Sequence, residues 1–349
     1  MNRRYFLAAL GASILAPSCT LAPLAPRRAP SLDNLVDGKF NWTVCPPLVS
    51  PANRIEDPCH AIKDPSIVSY GGHWHLFCSI RSRKRSAQIE YLTFTDFNDA
   101  NNAERHILKL TDGDFGAPQV FYFSPHDRWY LIYQVIDITR KPALQPAYST
   151  TSDISDPTSW TKPILLFSDQ PGRLKMWIDF WVICDTTRAH LFFTSLDGKM
   201  WRAETHLADF PVAWSKPKIV LQDDIFEASH TYRLKGHDRF LTIVEAQTWP
   251  IGRGWRYYKA YVSDRLDGTW TPAATSRQKP FAGLANVQDI GPHWTDSFSH
   301  GELIREGFDE TLQVDPARLE FLFQGVSDAE RAGKKYGEIP WRLGLLNPA

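Results

Sequence analysis

The chain has 349 residues, of which 43% are hydrophobic and 13% aromatic. This length is sufficient for one large domain, and the aromatic content suits closely packed sheets. Lys plus Arg equal Asp plus Glu at 39 each, so the charge balance excludes a general attraction to nucleic acid or to an anionic membrane surface.

Residues 1–19 have the pattern of an export signal. A basic start with Arg3 and Arg4 precedes an apolar run, Phe6 to Leu15, that is too short to span a bilayer. The paired arginines resemble a twin-arginine signal, so we expect a bacterial protein that is secreted or held in the periplasm or cell envelope. Cys19 loosely resembles a lipoprotein attachment site, which leaves a lipid anchor open.

The organisation predicted for the rest of the chain is a linker followed by one folded domain. Residues 20–39 are rich in Pro and Ala and are typical of a linker. Residues 40–349 contain few stretches of helical period, and the 25 Pro and 20 Gly of the chain mark frequent turns. We therefore predict an all-β domain without a transmembrane helix.

Five segments of this domain share one pattern, in which a polar or acidic start is followed by two apolar strands and a turn. The segments begin at Asp64, Ala117, Asp179, Glu227 and His300, with separations of 53, 62, 48 and 73 residues. Irregular repeats of this size, each supplying a few antiparallel strands, are typical of propeller blades. Five units predict a five-bladed β-propeller, in which the first strand of each blade lines a central channel.

The clearest of these segments is residues 176–201, MWIDFWVICDTTRAHLFFTSLDGKMW. Two short runs of aromatic and β-branched residues flank the polar turn 185–188, which predicts a β-hairpin. Asp179 lies between Ile178 and Phe180 at the start of the first run. A lone carboxylate is costly to bury, so Asp179 is either satisfied by backbone amides or has a functional role.

Asp64 and Glu227 occupy matching positions in two other segments. Taken singly, Asp64 is explained by an Asp-Pro turn, and Glu227 by a structural ion pair with Lys235 or Arg256. Their recurrence with Asp179 at the starts of different blades favours a shared site in the channel.

Four cysteines follow the export signal. Cys45 and Cys59 flank one loop and are the expected disulfide pair, since export permits disulfides. Cys78 and Cys184 lie in apolar strands and are expected to be packed thiols, although a bridge between blades stays open. The sequence has no zinc-type cysteine motif, no glycine-rich nucleotide loop and no sign of an organic cofactor.

The motifs together resemble glycoside hydrolase family 62, α-L-arabinofuranosidases of the five-bladed clan shared with family 43. The segments that carry the resemblance, from about residue 40 to the end, are KDPSIVSYGGHWHLF, WIDFWVICDTTRAHLFFTSLDGKMWRAET, IFEASHTYRLKG, DGTWTPAATSRQKPFAGLANV, SHGELIRE and LEFLFQG. The resemblance implies a monomeric enzyme that hydrolyses terminal arabinofuranosyl side chains of arabinoxylan or arabino-oligosaccharides with inversion.

The resemblance also implies roles for the carboxylates. Asp64 matches the general base, Glu227 the general acid, and Asp179 the residue that tunes the acid and orients the sugar. Inversion requires a base that activates water and an acid that protonates the leaving oxygen, with their carboxyls about 6.5–9.5 Å apart. A negative Asp179 would raise the pKa of Glu227 by repulsion.

Further positions match the family's sugar pocket and channel. Lys63, Arg256 and Tyr336 match substrate-binding residues at the pocket or its rim. His300 matches the histidine that faces a calcium ion in the family. Calcium prefers oxygen ligands, so such an ion would depend largely on water, and the alternative is a channel histidine without a metal.

Two departures bear on substrate choice. Gly337 replaces the asparagine that usually follows the rim tyrosine, and Val135–Thr150 is expected to be a loop without the tryptophans of a xylan-binding wall. The expected contacts to the xylan backbone are therefore supported by fewer matching residues than the expected role of the three carboxylates. The alternatives are a related five-bladed enzyme acting on other furanosides or xylosides, and a non-catalytic propeller that binds polysaccharide.

Overall fold

The structure is a computed structural model that describes residues 35–169, 174–248 and 254–349. These residues contain the short helix α1 (Asp328–Arg331) and 3-10 turns at Phe97–Asn102, Ser124–His126 and Tyr336–Glu338. The strands, in chain order, are β1 Trp42–Val44, β2 Cys59–Tyr70, β3 His73–Ser82, β4 Gln88–Phe94, β5 Arg105–Ile107, β6 Phe115–Phe123, β7 Arg128–Ile136, β8 Leu144–Thr151, β9 Ile164–Leu165, β10 Ile178–Cys184, β11 Arg188–Thr194, β12 Lys199–His206, β13 Lys218–Gln222, β14 Glu227–Leu234, β15 Phe240–Gln247, β16 Arg256–Ser263, β17 Thr271–Ser276, β18 Lys279–Pro280, β19 Val287–Asp289, β20 Ser297–Leu303, β21 Gln313–Val314, β22 Phe321–Val326 and β23 Arg342–Pro348.

The strands form five sheets, which are the blades of a propeller. Blades I, II and III are the four-stranded sheets β2–β5, β6–β9 and β10–β13, each in sequential order. Blade IV contains β14 to β18 with β21 added at the β14 edge, and blade V has the order β19-β1-β23-β22-β20. The five-bladed prediction is confirmed, and each predicted segment start lies in the first, innermost strand of its blade. Glu227 is the first residue of β14, and the other four starts lie one to five residues into their strands.

Hydrogen bonds join the first strands of neighbouring blades into a ring around the central channel. The links from blade I through blade V and back are Val120 N to Ser66 Oγ at 3.0 Å, Gln119 Nε2 to the Val182 carbonyl at 2.7 Å, Trp181 Nε1 to the Thr231 carbonyl at 2.9 Å, His230 Nδ1 with the Gly301 carbonyl at 2.7 Å, and Ile67 N to Glu302 Oε2 at 3.2 Å. Buried polar groups require such partners. The channel wall is therefore held by specific bonds as well as by packing.

Local sequence explains the hairpins. Tyr70 and His73 pair across a two-residue turn in which Gly71 and Gly72 have φ of 61° and 79°, and a turn with two positive φ values favours glycine. In blade III, Asp185 Oδ1 accepts hydrogen bonds from the backbone N–H of Thr187 at 2.7 Å and of Arg188 at 2.9 Å. This confirms the hairpin predicted over 176–201.

Apolar side chains fill the spaces between blades. Between blades I and II, Phe77 and Tyr91 pack in one buried cluster with Val120 and Leu131. Between blades V and I, Leu322 of β22 and Leu343 of β23 are buried. They pack with aliphatic side chains of blade I, namely Ile62, Leu76 and Leu92. Each blade is too thin to bury its own faces, so stacking of neighbours supplies the core.

Blade V closes the ring by joining both ends of the domain. Strand β1 pairs antiparallel with β23, with Val44 opposite Leu346, and pairs parallel with β19. Leu35, inside the predicted linker, is buried in the main core cluster. The export signal and the linker up to residue 34 lie outside the described residues.

Two predictions from sequence are wrong. Cys59 is a free thiol that accepts a hydrogen bond from Arg54 Nη1 at 3.1 Å, so it does not pair with Cys45. Val135–Thr150 is mostly strand, because β7 and β8 continue on either side of residues 137–143. Within this segment Pro146 lies in the ladder opposite Gln134.

Cys78 and Cys184 are buried free thiols, as expected. Among the described residues, no helix is both long and apolar enough to cross a membrane.

Candidate active site

The site lies where the first strands of the blades are interrupted by bulges. The pairing register shifts at the same level in all five, and these shifts fall at Lys63/Ser66, Gly116/Gln119, Ile178/Trp181, Glu227/Ser229 and Ser299/Gly301. A bulge leaves one residue unpaired and turns its neighbours out of the ladder. The repeated bulges therefore direct side chains from different blades into one end of the channel.

Backbone conformation repeats with the bulges. Asp64, Ala117, Asp179 and Ala228 have φ between 49° and 58°, a region that costs residues other than glycine about 1–3 kcal/mol. Asp64 and Asp179 thus occupy equivalent strained positions in blades I and III. Strain of this kind concentrates at functional sites.

Asp64 is held between cations. Its carboxylate lies 3.3 Å from Lys63 Nζ and 3.6 Å from His300 Nδ1, and its backbone N–H donates to Gln324 Oε1 at 2.8 Å. Burial alone would raise the pKa of Asp64, but Lys63 and His300 outweigh burial and lower that pKa to about 2. Asp64 is therefore ionised throughout the neutral range.

Asp179 connects three blades. Its Oδ2 lies 3.5 Å from His300 Nδ1 in blade V and accepts a hydrogen bond from the Ala228 N–H in blade IV at 3.0 Å. Burial would lower the pKa of His300, but Asp179 and Asp64 outweigh burial and raise that pKa to about 9. The imidazolium of His300 thus ties the two aspartates together.

Glu227 has a different environment. Burial raises the pKa of Glu227 to about 7; the adjacent Arg256 opposes this rise, and the negative charges of Glu245 and Asp179 add to it. Arg256 Nη1 bonds to Glu227 and also to Glu245 at 2.8 Å. Of the two partners proposed for Glu227 from sequence, Arg256 is present, whereas Lys235 pairs with Glu306.

Glu245 is a central residue of the site that was not predicted from sequence. It is buried, and besides Arg256 it accepts hydrogen bonds from Ser299 Oγ at 3.0 Å and from the His300 N–H at 2.7 Å. Gln324 donates to Ser299 Oγ at 2.9 Å and so links this network to Asp64. The sequence did carry a signal, because Glu245 lies between Val244 and Ala246 as Asp179 lies between apolar neighbours.

The rim of the site is formed by Tyr336, whose side chain is partly exposed. Lys63 Nζ donates to the Tyr336 hydroxyl at 3.3 Å, and the Arg81 and Arg256 guanidinium carbons each lie 5.5 Å from the Tyr336 ring centre. The carbonyl of Gly337 bonds to His60 Nε2 at 2.7 Å. The structure thus brings together all the site residues predicted from sequence.

Residues 41–347 match the sequence model described as Glycosyl hydrolase family 62. The chain belongs to glycosyl hydrolase family 62. The resemblance noted from its motifs is therefore confirmed.

Relatives of known structure agree with this assignment. The catalytic domain of a Coprinopsis cinerea family 62 α-L-arabinofuranosidase matches 89% of this chain and 98% of its own, with 36% identity and a TM-score of 0.82. A family 62 hydrolase in complex with xylotriose matches the same shares, with 39% identity and a TM-score of 0.79.

A longer relative matches in sequence. Alpha-L-arabinofuranosidase C of Cellvibrio japonicus is 40% identical over 315 residues, which are 88% of this chain and 47% of the relative. The chain thus spans about half the length of this relative.

Calcium at His300 of this family 62 chain stays a prediction. Calcium takes about six to eight oxygen ligands, whereas no group of three or more His, Cys, Asp or Glu side chains in the described parts of the chain could hold a metal ion. His300 Nδ1 already faces Asp64 and Asp179. The described side chains therefore do not supply a set of oxygen ligands for calcium at His300. The reaction proposed for this chain uses no metal.

Proposed function

We propose that the chain is an α-L-arabinofuranosidase that removes terminal arabinofuranosyl side chains from arabinoxylan with inversion of configuration. The observation that carries this proposal is the opposite pKa shift of two carboxyls in one buried site, to about 2 at Asp64 and about 7 at Glu227. A base and an acid separated in this way are what inverting hydrolysis requires.

In the proposed reaction, Asp64 is the general base. Its carboxylate accepts a proton from a water molecule, whose oxygen then attacks the anomeric carbon of the arabinose. Lys63 and His300 keep Asp64 ionised, and Lys63 is also placed to bond to a sugar hydroxyl. Because Lys63 and His300 lower the pKa of Asp64, they also make it a weaker base. The fixed orientation of Asp64 offsets this loss of basicity, since an oriented group reacts faster than a free one.

Glu227 is the general acid. Its protonated carboxyl donates to the glycosidic oxygen as the bond to the anomeric carbon breaks, so the xylan hydroxyl leaves neutral. Asp179 adds to the rise in the pKa of Glu227, although burial is the larger cause. Asp179 also fixes the strand of blade IV that carries Glu227, through the Ala228 N–H.

The choice of arabinoxylan is supported by relatives. The matched structures include an α-L-arabinofuranosidase and a hydrolase bound to xylotriose, a three-sugar fragment of a xylan backbone. We extend this substrate class to the chain, and we also propose export, which depends on the pattern of residues 1–19.

The test is release of arabinose from neutral arabinoxylan and from linear arabinan. We expect release from arabinoxylan by the wild type, and a fall in kcat of at least about 100-fold in Glu227→Gln and Asp64→Asn, as for loss of a general acid or base. Asp238→Asn, which alters a fully exposed carboxylate outside the site, should retain wild-type activity. Absence of arabinose from both polymers would remove the substrate proposal.

Stereochemistry provides an independent check. Proton NMR of the first-formed arabinose should show the β anomer, because water attacks the face opposite the leaving group. Initial formation of the α anomer would contradict the role of Asp64 as a base and would indicate a covalent intermediate.

A further inference from the structure

Two basic segments meet at the rim of the active site. One is the end of β3 and the turn that follows it, with the sequence RSRKR at residues 81–85. The other is the pair Lys334 and Lys335 immediately before Tyr336. The Arg81 guanidinium carbon lies 5.5 Å from the Tyr336 ring centre. The two segments therefore border the same opening, and we define the basic rim as Arg81, Arg83, Lys84, Lys334 and Lys335.

The basic rim lacks ion-pair partners within the described part of the protein, although Arg81 makes a cation–π contact with Tyr336. Arg83, Lys84, Lys334 and Lys335 are exposed, and no side chain of the rim forms an ion pair with a carboxylate among the described residues. Within the same turn, by contrast, Arg85 pairs with Asp57 at 2.8 Å.

The carboxylate nearest in sequence does not neutralise the rim. Glu338 Oε2 accepts the backbone N–H of Lys335 at 3.1 Å, so this carboxylate is directed to its own turn. The formal net charge of the whole chain is zero. The basic rim is therefore a local excess of positive charge, and such an excess beside a cleft attracts anionic ligands.

Gly337 explains why a cation can occupy this position. A Cβ at residue 337 would lie 3.2 Å from Arg81 Nη1, which is a tight contact. Arg81 thus takes part of the space that a side chain at 337 would need. Guanidinium groups suit carboxylates, because their planar donors can bond to both oxygens.

We propose that the basic rim binds a carboxylate of the polysaccharide, so that the enzyme prefers arabinoxylan whose backbone also carries uronic acid substituents close to the arabinose. This inference rests on the proposed function, because it places the arabinose in the pocket below Tyr336. Carboxylates held at the rim would increase the rate of productive encounter without contacting the reacting atoms.

The experiment compares one polymer in two forms. Arabinose release is measured on arabinoxylan bearing glucuronic acid and on the same polymer after its carboxyls are reduced to alcohols. We expect kcat/KM on the acidic form to be about tenfold higher at low ionic strength, and this preference to shrink at about 0.15 M salt, where exposed charges are screened beyond about 8 Å.

Variants assign the preference to the rim. Replacing Arg83, Lys84, Lys334 and Lys335 together by Gln should abolish the preference and leave kcat/KM on the reduced polymer unchanged. Arg81 is excluded because it contacts Tyr336. As a matched control, the same number of exposed lysines outside the rim is replaced by Gln, and this variant should keep the preference; these lysines are Lys109, Lys162, Lys216 and Lys218.

Three results would overturn the inference. These are equal kcat/KM of the wild type on both polymers, a preference that survives in the rim variant, and a preference lost equally in the control, which would indicate net charge rather than the rim. Release of nitrophenol from 4-nitrophenyl α-L-arabinofuranoside is followed in parallel. If that release is absent too, the proposed function fails and the rim has no role in it.

Discussion

At the scale of single residues, the charges beside two carboxyls of the site give them different pKa values. Asp64 has Lys63 and the imidazolium of His300 as neighbours. Glu227 has one cation, Arg256, and that cation is shared with Glu245. Both carboxyls are buried, so burial does not separate them. Burial is the main cause of the raised pKa of Glu227, about 7, and the second carboxylate on Arg256 adds to that rise.

This arrangement predicts the pH dependence of activity. The acid must be protonated and its pKa is about 7, so kcat/KM should fall as the pH rises through about 7. The base must be ionised and its pKa is about 2, so no loss from Asp64 is expected until strongly acidic pH. In Glu245→Gln, the attraction of Arg256 for Glu227 is less opposed, and the alkaline fall should move to lower pH.

The measurement is kcat/KM against pH on arabinoxylan for wild type and Glu245→Gln, because its sugar hydroxyl leaving group requires protonation. Near pH 7 the variant should lose about tenfold, a modest part of the contribution of a general acid. The acidic side of the profile should not change. An alkaline limb at the wild-type position, in a variant with an unchanged unfolding midpoint, would show that Glu245 does not tune Glu227.

The sequence predicted which carboxylates meet but not what surrounds them. Asp64, Asp179 and Glu227 could be found because each begins an apolar strand of a repeated unit. Ser299 and Gln324 could not, because an ordinary polar residue acquires its role from contacts across blades that no local pattern reports. The prediction of a Cys45–Cys59 disulfide was wrong for a similar reason, since nearness in sequence does not fix the direction of two side chains.

At the scale of elements, the bulge in each first strand is the repeated device of the fold. It interrupts the ladder at one level in every blade, and in four blades it places a residue at positive φ. Blade II has Ala117 at this position, where blades I and III have aspartates. The same backbone therefore carries a carboxylate of the site in blades I and III and only the bend in blade II, which separates the cost of the conformation from the chemistry proposed for the carboxylates.

Ala117→Gly tests that cost. At positive φ, glycine avoids a strain of about 1–2 kcal/mol and loses about 0.5–1 kcal/mol of backbone entropy. The free energy of unfolding should therefore stay the same or rise by up to about 1.5 kcal/mol. Ala147→Gly in β8, which is also buried but is not at positive φ, should lower it by about 1 kcal/mol. Urea unfolding midpoints compare the two, and an equal loss in both would show that the bulge is not strained.

At the scale of the whole molecule, the ring is held shut by blade V, which is built from both ends of the domain. Strand β1 lies between β23 and β19, so the first strand of the domain is an inner strand of the last sheet. This closure matters for the site because Asp64 in blade I must be held against His300 in blade V. Opening the ring would separate the base from the residues that set its charge.

Trp42 in β1 joins blade V to Phe281, which follows β18 of blade IV. It is buried, its Nε1 donates to the Phe281 carbonyl at 2.5 Å, and its ring meets that of Phe281 edge-on at 5.3 Å. Trp42→Ala should lower the free energy of unfolding by about 3–5 kcal/mol. Val212→Ala, at an exposed position, should change it by no more than about 0.5 kcal/mol.

Guanidinium unfolding of both variants, followed by Trp fluorescence and by residual activity, distinguishes packing from closure. If Trp42 keeps the ring closed, activity on 4-nitrophenyl α-L-arabinofuranoside should be lost in Trp42→Ala at denaturant concentrations below the main fluorescence transition, because blade V detaches from blade IV, and His300 from Glu245, before the other blades unfold. Coincident loss of activity and fluorescence would mean that the five blades unfold as one unit, and that Trp42 contributes to the core without controlling closure.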